Sequence, residues 1–365
     1  MRLCFLAGAN SIHSYRWVKY FADRGHEVSW ISLSPLSAGS KIPNLEFYEL
    51  RQYSSKLFTM LRGVYELRSL LKQAKPDVLH AHYAGIYGFI GALSGFHPFI
   101  VTAWGSDVLI AARAELKRLL VRHTLKEADL ITCDAEHMRN AIAQFGVNIE
   151  KIKIVYFGVD TQRFTPGPRN TELMKRSGIV GSPVMISLRN LELIYDIETL
   201  IRCAPRVLMN FPDAEFVVIG TGSQEGKLKK LAQSLAIGGK VQFLGRIINE
   251  DIVGYLRTAD IYISTALSDA GIAASTAEAM ACGLPVIITD SGENRRWVKD
   301  GEGGFLVPVK DPESLADRII YLIRNDEKRL RFGARNREMI VQKNNYFKEM
   351  GTMESLYKMV IRAYE

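Results

Sequence analysis

The stretch STALSDAGIAASTAEAMACGLPVIITDSGEN, Ser264–Asn294, gathers residue types suited to holding a phosphorylated ligand. A strand-like run ends at Ser264, a loop rich in glycine and alanine follows, and a helical run begins near Ser275. Small residues let backbone approach a ligand closely. Amides at a helix start, with the helix dipole behind them, suit a phosphate. Glu278 stands one turn inside that helix. Its carboxylate can accept two hydroxyl hydrogen bonds, as a ribose diol offers. Taken alone, it also reads as an acid at the positive end of a helix, worth about 0.3–1 kcal/mol.

Other candidates stand where apolar runs end. Arg189, in SLRNLELIYDIETL, is a cation for phosphate or half of a surface ion pair. VVIGTGS places Gly220 and Gly222 after a strand, either a ligand loop or a plain tight turn. Arg246 in FLGRI lines a pocket or lies solvated. In AGANSIH, residues Asn10, Ser11 and His13 follow the first strand; helix capping by Ser11 or Ser14 is the other reading. HAHY carries His82, a polar contact or a structural histidine. TAWGSDV carries Trp104, which stacks on a sugar or packs in the core, and Asp107.

The elements that must position these residues alternate. Candidate strands are Leu3–Ala7, Glu27–Ser32, Val78–Ala81, Phe99–Ala103, Leu130–Cys133 and Ile152–Val155, with amphipathic runs such as Ser14–Arg24 and Ala114–Ala128 between them. The pattern restarts with strands Val184–Ser187, Glu215–Ile219, Val241–Leu244, Ile261–Ser264, Pro285–Thr289 and Phe305–Val307. Helices fit Ile197–Asn210, Glu225–Leu235, Ile248–Ala259, Thr276–Cys282 and Pro312–Asn325. Buried strands separated by helices predict parallel sheets covered on both faces. The fold class is α/β, with two doubly wound Rossmann-like domains facing across a cleft at the carboxyl ends of their strands. Pro166, Gly167 and Pro168 place the linker near Thr165–Arg169. The expected division is 1–166, 167–344, and a last helix at 345–365 crossing back to the first domain.

The 365 residues fit two domains. No apolar run reaches the eighteen or so residues of a membrane span, and the opening MRLCFLAGAN reads as a buried strand, not a signal peptide. Cys4, Cys133, Cys203 and Cys282 are scattered, which predicts reduced, buried thiols and a cytoplasmic setting. The net charge of +8 admits anionic partners. No basic tail, zinc-finger spacing or aromatic RNA-binding signature accompanies it, so no nucleic-acid partner is expected.

Glu278 followed by AMACGLPV, Ala279–Val286, resembles the signature of the family-4 retaining glycosyltransferases, which have the GT-B fold. The resemblance covers almost the whole chain, including GVDTQRF at Gly158–Phe164. It implies a nucleotide-sugar donor whose ribose Glu278 binds. Its diphosphate would lie on loop amides at Gly271, Ala274, Ser275 and Thr276, with Gly220, Gly222 and Arg246 nearby. It implies Arg189 as a cation on the leaving diphosphate, and Asn10, Ser11, His13 and His82 near donor sugar or acceptor. Three departures stand out. The family's first glutamate is Ala270 here, with Asp269 beside it as a substitute. The family lysine is Tyr195, with Arg295 or Arg296 as compensating cations. The family histidine is Trp104, with Gly105 and Asp107 retained. The implied catalytic set is Arg189, Asp269, Trp104 and Asp107.

The implied reaction moves a sugar, UDP-linked by family habit, to a glycan or lipid-linked acceptor in cell-surface polysaccharide or glycolipid synthesis. No metal and no cofactor are expected, since no DxD motif flanks the site. A nucleotide-sugar epimerase of the same fold and a non-catalytic partner subunit remain alternatives. A NAD dehydrogenase would want GxGxxG where AGANSIH stands. Arg51–Lys75 holds six basic residues and one acid, Glu66, with apolar residues at helical spacing. It reads as a packed helix with a solvated face, or as a peripheral contact with the inner face of an anionic cytoplasmic membrane.

Overall fold

The computed structural model describes residues 1–36, 42–109, 115–248, 251–269 and 271–365. Seven strands form the first sheet: β1 Arg2–Leu6, β2 Glu27–Ser32, β3 Leu45–Glu49, β4 Val78–His82, β5 Phe99–Thr102, β6 Leu130–Cys133 and β7 Ile152–Ile154. Six form the second: β8 Val184–Leu188, β9 Glu215–Ile219, β10 Val241–Gly245, β11 Ile261–Ser264, β12 Val286–Thr289 and β13 Gly304–Val307. All pairings between these strands are parallel. The orders are β3-β2-β1-β4-β5-β6-β7 and β10-β9-β8-β11-β12-β13. Each sheet therefore reverses its winding once, between β1 and β4 and between β8 and β11. Chains leaving adjacent strands there turn to opposite faces and leave a crevice.

The central strands are buried along their whole length, as in FIVT of β5, LITC of β6 and EFVVI of β9. Backbone pairing satisfies the peptide groups while Val, Ile, Leu and Phe fill both faces. The edge strand β3 was not anticipated. Its Glu46 and Glu49 are exposed, and among the described residues it pairs only with β2. All four cysteines are free and buried, and burial pushes the Cys4, Cys133 and Cys282 thiols up to about 12.

The chain divides into two units, Met1–Tyr156 with Lys348–Glu365, and Phe157–Phe347. This moves the boundary ahead of the expected Thr165–Arg169. The reason is local. Gly158 N donates to Asn344 Oδ1 at 3.0 Å, and Tyr346 N to the Val159 carbonyl at 2.9 Å. Arg337 donates to the carbonyls of Thr161 at 2.8 Å and Phe164 at 2.5 Å. A left-handed glycine is needed at Gly158, φ 72°, where a Cβ would lie 2.4 Å from Tyr346 Cα. In the last helix, Tyr346–Arg362, residues from Lys348 onward group with the first unit.

Candidate functional site

In the second unit the chemistry collects where β8 and β11 end. Arg189 directly follows β8 and is 8% exposed. Its Nη2 donates to Asp269 Oδ1 at 2.6 Å, and both side chains are equally buried. The guanidinium carbon lies 4.4 Å from the centroid of the Tyr195 ring, a cation–π contact. Arg189 Nε is buried with no hydrogen-bond partner among the described residues.

Two loops hold this group together. The turn Leu193–Tyr195 is stitched to the loop after β11: Thr265 Oγ1 donates to the Tyr195 carbonyl at 3.0 Å, and Leu267 N to the Ile194 carbonyl at 2.8 Å. Gly220 adopts φ 147°, and a Cβ there would lie 2.3 Å from the Arg189 carbonyl oxygen. A Cβ on Gly222 would lie 2.3 Å from the Leu191 carbonyl oxygen. Both glycines are thus required by close backbone packing against the Arg189 loop.

The helix after β11 is Ala274–Ala281, and no side chain caps its start. Gly271 and Thr276 are buried, Ala274 is exposed, and Ser275 and Glu278 are half-buried. Ser275 Oγ lies 2.8 Å from the buried Tyr262 Oη, pinning the first turn to β11. Arg246 is exposed just past β10. Arg295 is exposed and donates from Nε to Asp290 Oδ1 at 2.5 Å. Ala270 lies outside the described residues.

In the first unit, residues of the helix after β1, the end of β4 and the loop after β5 form an aromatic cluster. The His13 and Trp104 rings stack with centroids 5.5 Å apart at 25°. The edge of Trp17 meets Trp104 at 5.8 Å and His82 at 5.1 Å. His82 Nδ1 is 3.2 Å from Ser14 Oγ. Burial, with Arg16 beside it, holds His13 down to about 4, and burial with His13 beside it holds His82 down to about 3. Both imidazoles are therefore neutral at pH 7. Asn10 is exposed, and Ser11 caps the helix Ile12–Asp23 by accepting from Ser14 N at 3.4 Å.

Asp107 is turned onto backbone. Its Oδ2 accepts from Ala84 N at 2.8 Å, and its Oδ1 from Trp104 N at 3.1 Å and Gly105 N at 3.0 Å. Burial raises its pKa. The carboxylate fixes the Trp104–Gly105 turn, where Gly105 has φ 109°. Tyr262, Thr265, Ser14 and Trp17 support the two clusters without having been singled out for that role. Among the described residues no group of three or more His, Cys, Asp or Glu is arranged to hold a metal.

Residues 2–135 match the family described as Glycosyl transferase 4-like, and residues 169–339 that described as Glycosyl transferases group 1. The chain is a family-4 glycosyltransferase of the GT-B fold. It is 25% identical over 355 residues to the N-acetyl-alpha-D-glucosaminyl L-malate synthase of Bacillus anthracis, covering 94% of this chain and 92% of that one. It is also 25% identical over 342 residues to a phosphatidyl-myo-inositol mannosyltransferase of Mycolicibacterium smegmatis, covering 91% and 86%. The solved structure of Anabaena HepE in complex with UDP superposes with a TM-score of 0.83 at 18% identity, covering 98% of this chain and 100% of that one. This glycosyltransferase keeps Arg189 and Glu278 on one sheet's switch point. The ring of Tyr195 lies against Arg189.

Proposed function

We propose that this glycosyltransferase moves a sugar from a UDP-linked donor to a hydroxyl of a glycan or lipid-linked acceptor, with retention at the anomeric carbon. The observation that carries the donor reading is the pairing of a buried arginine with an uncapped helix start at the β8–β11 switch point. Arg189 and the amides at Ala274, Ser275 and Thr276 supply positive potential where a leaving diphosphate gathers charge. Glu278, half-buried one turn in, takes the ribose hydroxyls. The UDP complex of a protein with this fold supports the choice of base.

The retaining reading rests on the family resemblance, and the lack of a suitably placed nucleophile among the described residues favours a front-face course over a double displacement. Asp107 is held by three backbone amides, and Asp269 stands beside the cation proposed to meet the leaving diphosphate, so neither carboxylate is read as the nucleophile of a double displacement. In a front-face reaction the leaving diphosphate itself takes the acceptor proton. The His13–Trp104 stack is the candidate aromatic face for a sugar, with Asn10 and Ser11 on the loop before it and Asp107 positioning the turn. His82, expected to contact sugar or acceptor, is instead fully buried behind Trp104.

A lipid-linked acceptor and peripheral placement on the inner membrane face have their own support. Among the described residues no helix is long and apolar enough to cross a membrane. The helix Lys56–Ala74 buries Val64, Leu67 and Leu71. It exposes Leu57, Phe58, Leu61 and Tyr65, interspersed with Lys56, Arg62, Arg68 and Lys72. An apolar stripe among cations suits an anionic bilayer. The relative from Mycolicibacterium smegmatis is named for a phosphatidyl-inositol acceptor.

The deciding experiment is a thermal-shift screen against UDP-, GDP- and ADP-sugars, since a ligand bound only by the native state raises stability by mass action. A UDP-sugar is expected to give the largest shift, and GDP in its place refutes the choice of base. NMR of the product anomer checks retention, and an inverted product refutes it. Binding without transfer to any acceptor favours the partner-subunit reading.

A further inference from the structure

We propose that the Asp269 carboxylate is an internal stand-in for the donor diphosphate on Arg189, so that donor binding exchanges one anion for another. This rests on the nucleotide-diphosphate reading above and adds a charge-selection rule to it.

Arg189 is too buried to be left unpaired, and stripping a partner from a buried charge is strongly unfavourable. Asp269 meets that need at 2.6 Å, but it engages Nη2 alone. Nε, on the same edge of the guanidinium, has no partner among the described residues. A phosphate binds that edge through two parallel hydrogen bonds, using Nε and Nη2 together. Nη2 is the nitrogen Asp269 holds, so a phosphate that fills the edge competes with Asp269 directly.

Arg189 and Asp269 are both 8% exposed and Arg189 Nε is buried, so a phosphate reaches that edge only as Asp269 swings aside. The Tyr195 ring lies against the guanidinium and fixes its plane. Gly292 packs closely on the Asp269 carbonyl, where a Cβ would lie 1.7 Å from its oxygen, so the backbone has little space to shift toward Gly292. Exchange is then a rotation of the Asp269 side chain. A diphosphate carries more charge than a carboxylate and fills both nitrogens. A neutral nucleoside offers nothing to exchange. The internal carboxylate therefore suppresses weakly charged ligands and admits diphosphates.

The test is calorimetric binding of uridine, UMP, UDP and GDP to the wild-type chain and to Asp269→Asn. Exchange predicts UDP binding at least about tenfold tighter in the variant, roughly 1.4 kcal/mol, with uridine unchanged. Unchanged or weaker UDP binding in the variant, with wild-type binding intact, overturns the exchange alone. So does a loss confined to UDP-sugars, which makes Asp269 a reader of the sugar. Failure of both proteins to bind UDP and GDP overturns the nucleotide reading, and this inference with it. If the variant does not fold, a wild-type structure with UDP decides. The Arg189–Asp269 bond must then be replaced by a phosphate contact, and a retained bond at 2.6 Å overturns the proposal.

Discussion

The His80 imidazole is clasped by Tyr357 of the last helix, with Nδ1 2.6 Å from Tyr357 Oη, while Nε2 lies 2.7 Å from Thr102 Oγ1. Thr102 Oγ1 continues to Thr132 Oγ1 at 2.6 Å, so a buried polar chain runs from the C-terminal helix across β4, β5 and β6. Burial holds His80 neutral, and a neutral imidazole donates from one nitrogen and accepts at the other. Both nitrogens are used.

Tyr357→Phe leaves one His80 nitrogen buried without its partner. The expected loss is about 1–3 kcal/mol of stability. Tyr357→Ala adds a cavity and is expected to cost about 3–5 kcal/mol. Urea unfolding followed by tryptophan fluorescence reads both, and Trp17, 5.5 Å from His80, reports the neighbourhood. Equal stability of the Tyr357→Phe variant and the wild type would show that the clasp contributes nothing net.

Stability should fall in acid. His13 and His82 sit at about 4 and about 3, and His80 well below 6.5, because burial disfavours the charged ring. For a base with a depressed folded value, the unfolded chain binds more protons, so this stability is full above about 6.5 and drains as pH falls toward 3–4. Each fully buried ring is expected to remove about 1–2 kcal/mol between pH 6.5 and 5. Glu349 acts oppositely. Burial raises it to about 7, so its contribution is lost as pH rises from 4.5 through 7. Wild-type unfolding free energy should drop from pH 7 to 5, and Glu349→Gln should steepen that drop. A flat profile contradicts neutral burial of the histidines.

Much of this was readable from the residues, and what was not has a physical cause. Strands buried on both faces leave unbroken apolar runs, which is why Leu130–Cys133, Glu215–Ile219 and Ile261–Ser264 stand where expected. β3 escaped because an edge strand with two exposed glutamates has no such run. Glu278 and its helix lie within one continuous stretch, so their spacing was legible. Arg189 and Asp269 lie 80 residues apart and meet only because β8 and β11 are neighbours, which no local spacing encodes. Tyr195, read as standing where the family has a lysine, lies with its ring against Arg189, a contact that local spacing does not encode either.

The glycines after β9 give a sharp contrast. Gly220→Ala forces an L-residue to φ 147° with its Cβ 2.3 Å from the Arg189 carbonyl oxygen. Backbone strain alone is worth about 1–3 kcal/mol, and the clash moves the loop that bears Arg189. Both melting temperature and UDP affinity are expected to fall. Gly226, in the helix Glu225–Ser234, has open space where a Cβ would go. Gly226→Ala is expected to leave binding unchanged and to gain about 0.5–1 kcal/mol from helix propensity. Differential scanning fluorimetry with and without UDP separates the two, and parallel behaviour of the variants refutes the packing argument.

Glu278 offers the cleanest test of the nucleotide assignment, because its proposed partner is a diol that chemistry can delete. Its side chain is half-buried in a helix whose other side carries the buried Ala277, Met280 and Ala281. Glu278→Ala removes a carboxylate without opening the core and suits a helix, so the melting temperature of the free protein should change little. Two charge-assisted hydrogen bonds to ribose are worth about 1.5–3 kcal/mol each at most, so UDP binding is expected to weaken at least about tenfold. Wild type should likewise bind 2′,3′-dideoxy-UDP about tenfold more weakly than UDP, whereas the variant should not distinguish them. Titration calorimetry with the four combinations closes a cycle. If the variant still prefers the diol, the ribose is read by another group and Glu278 serves the helix alone.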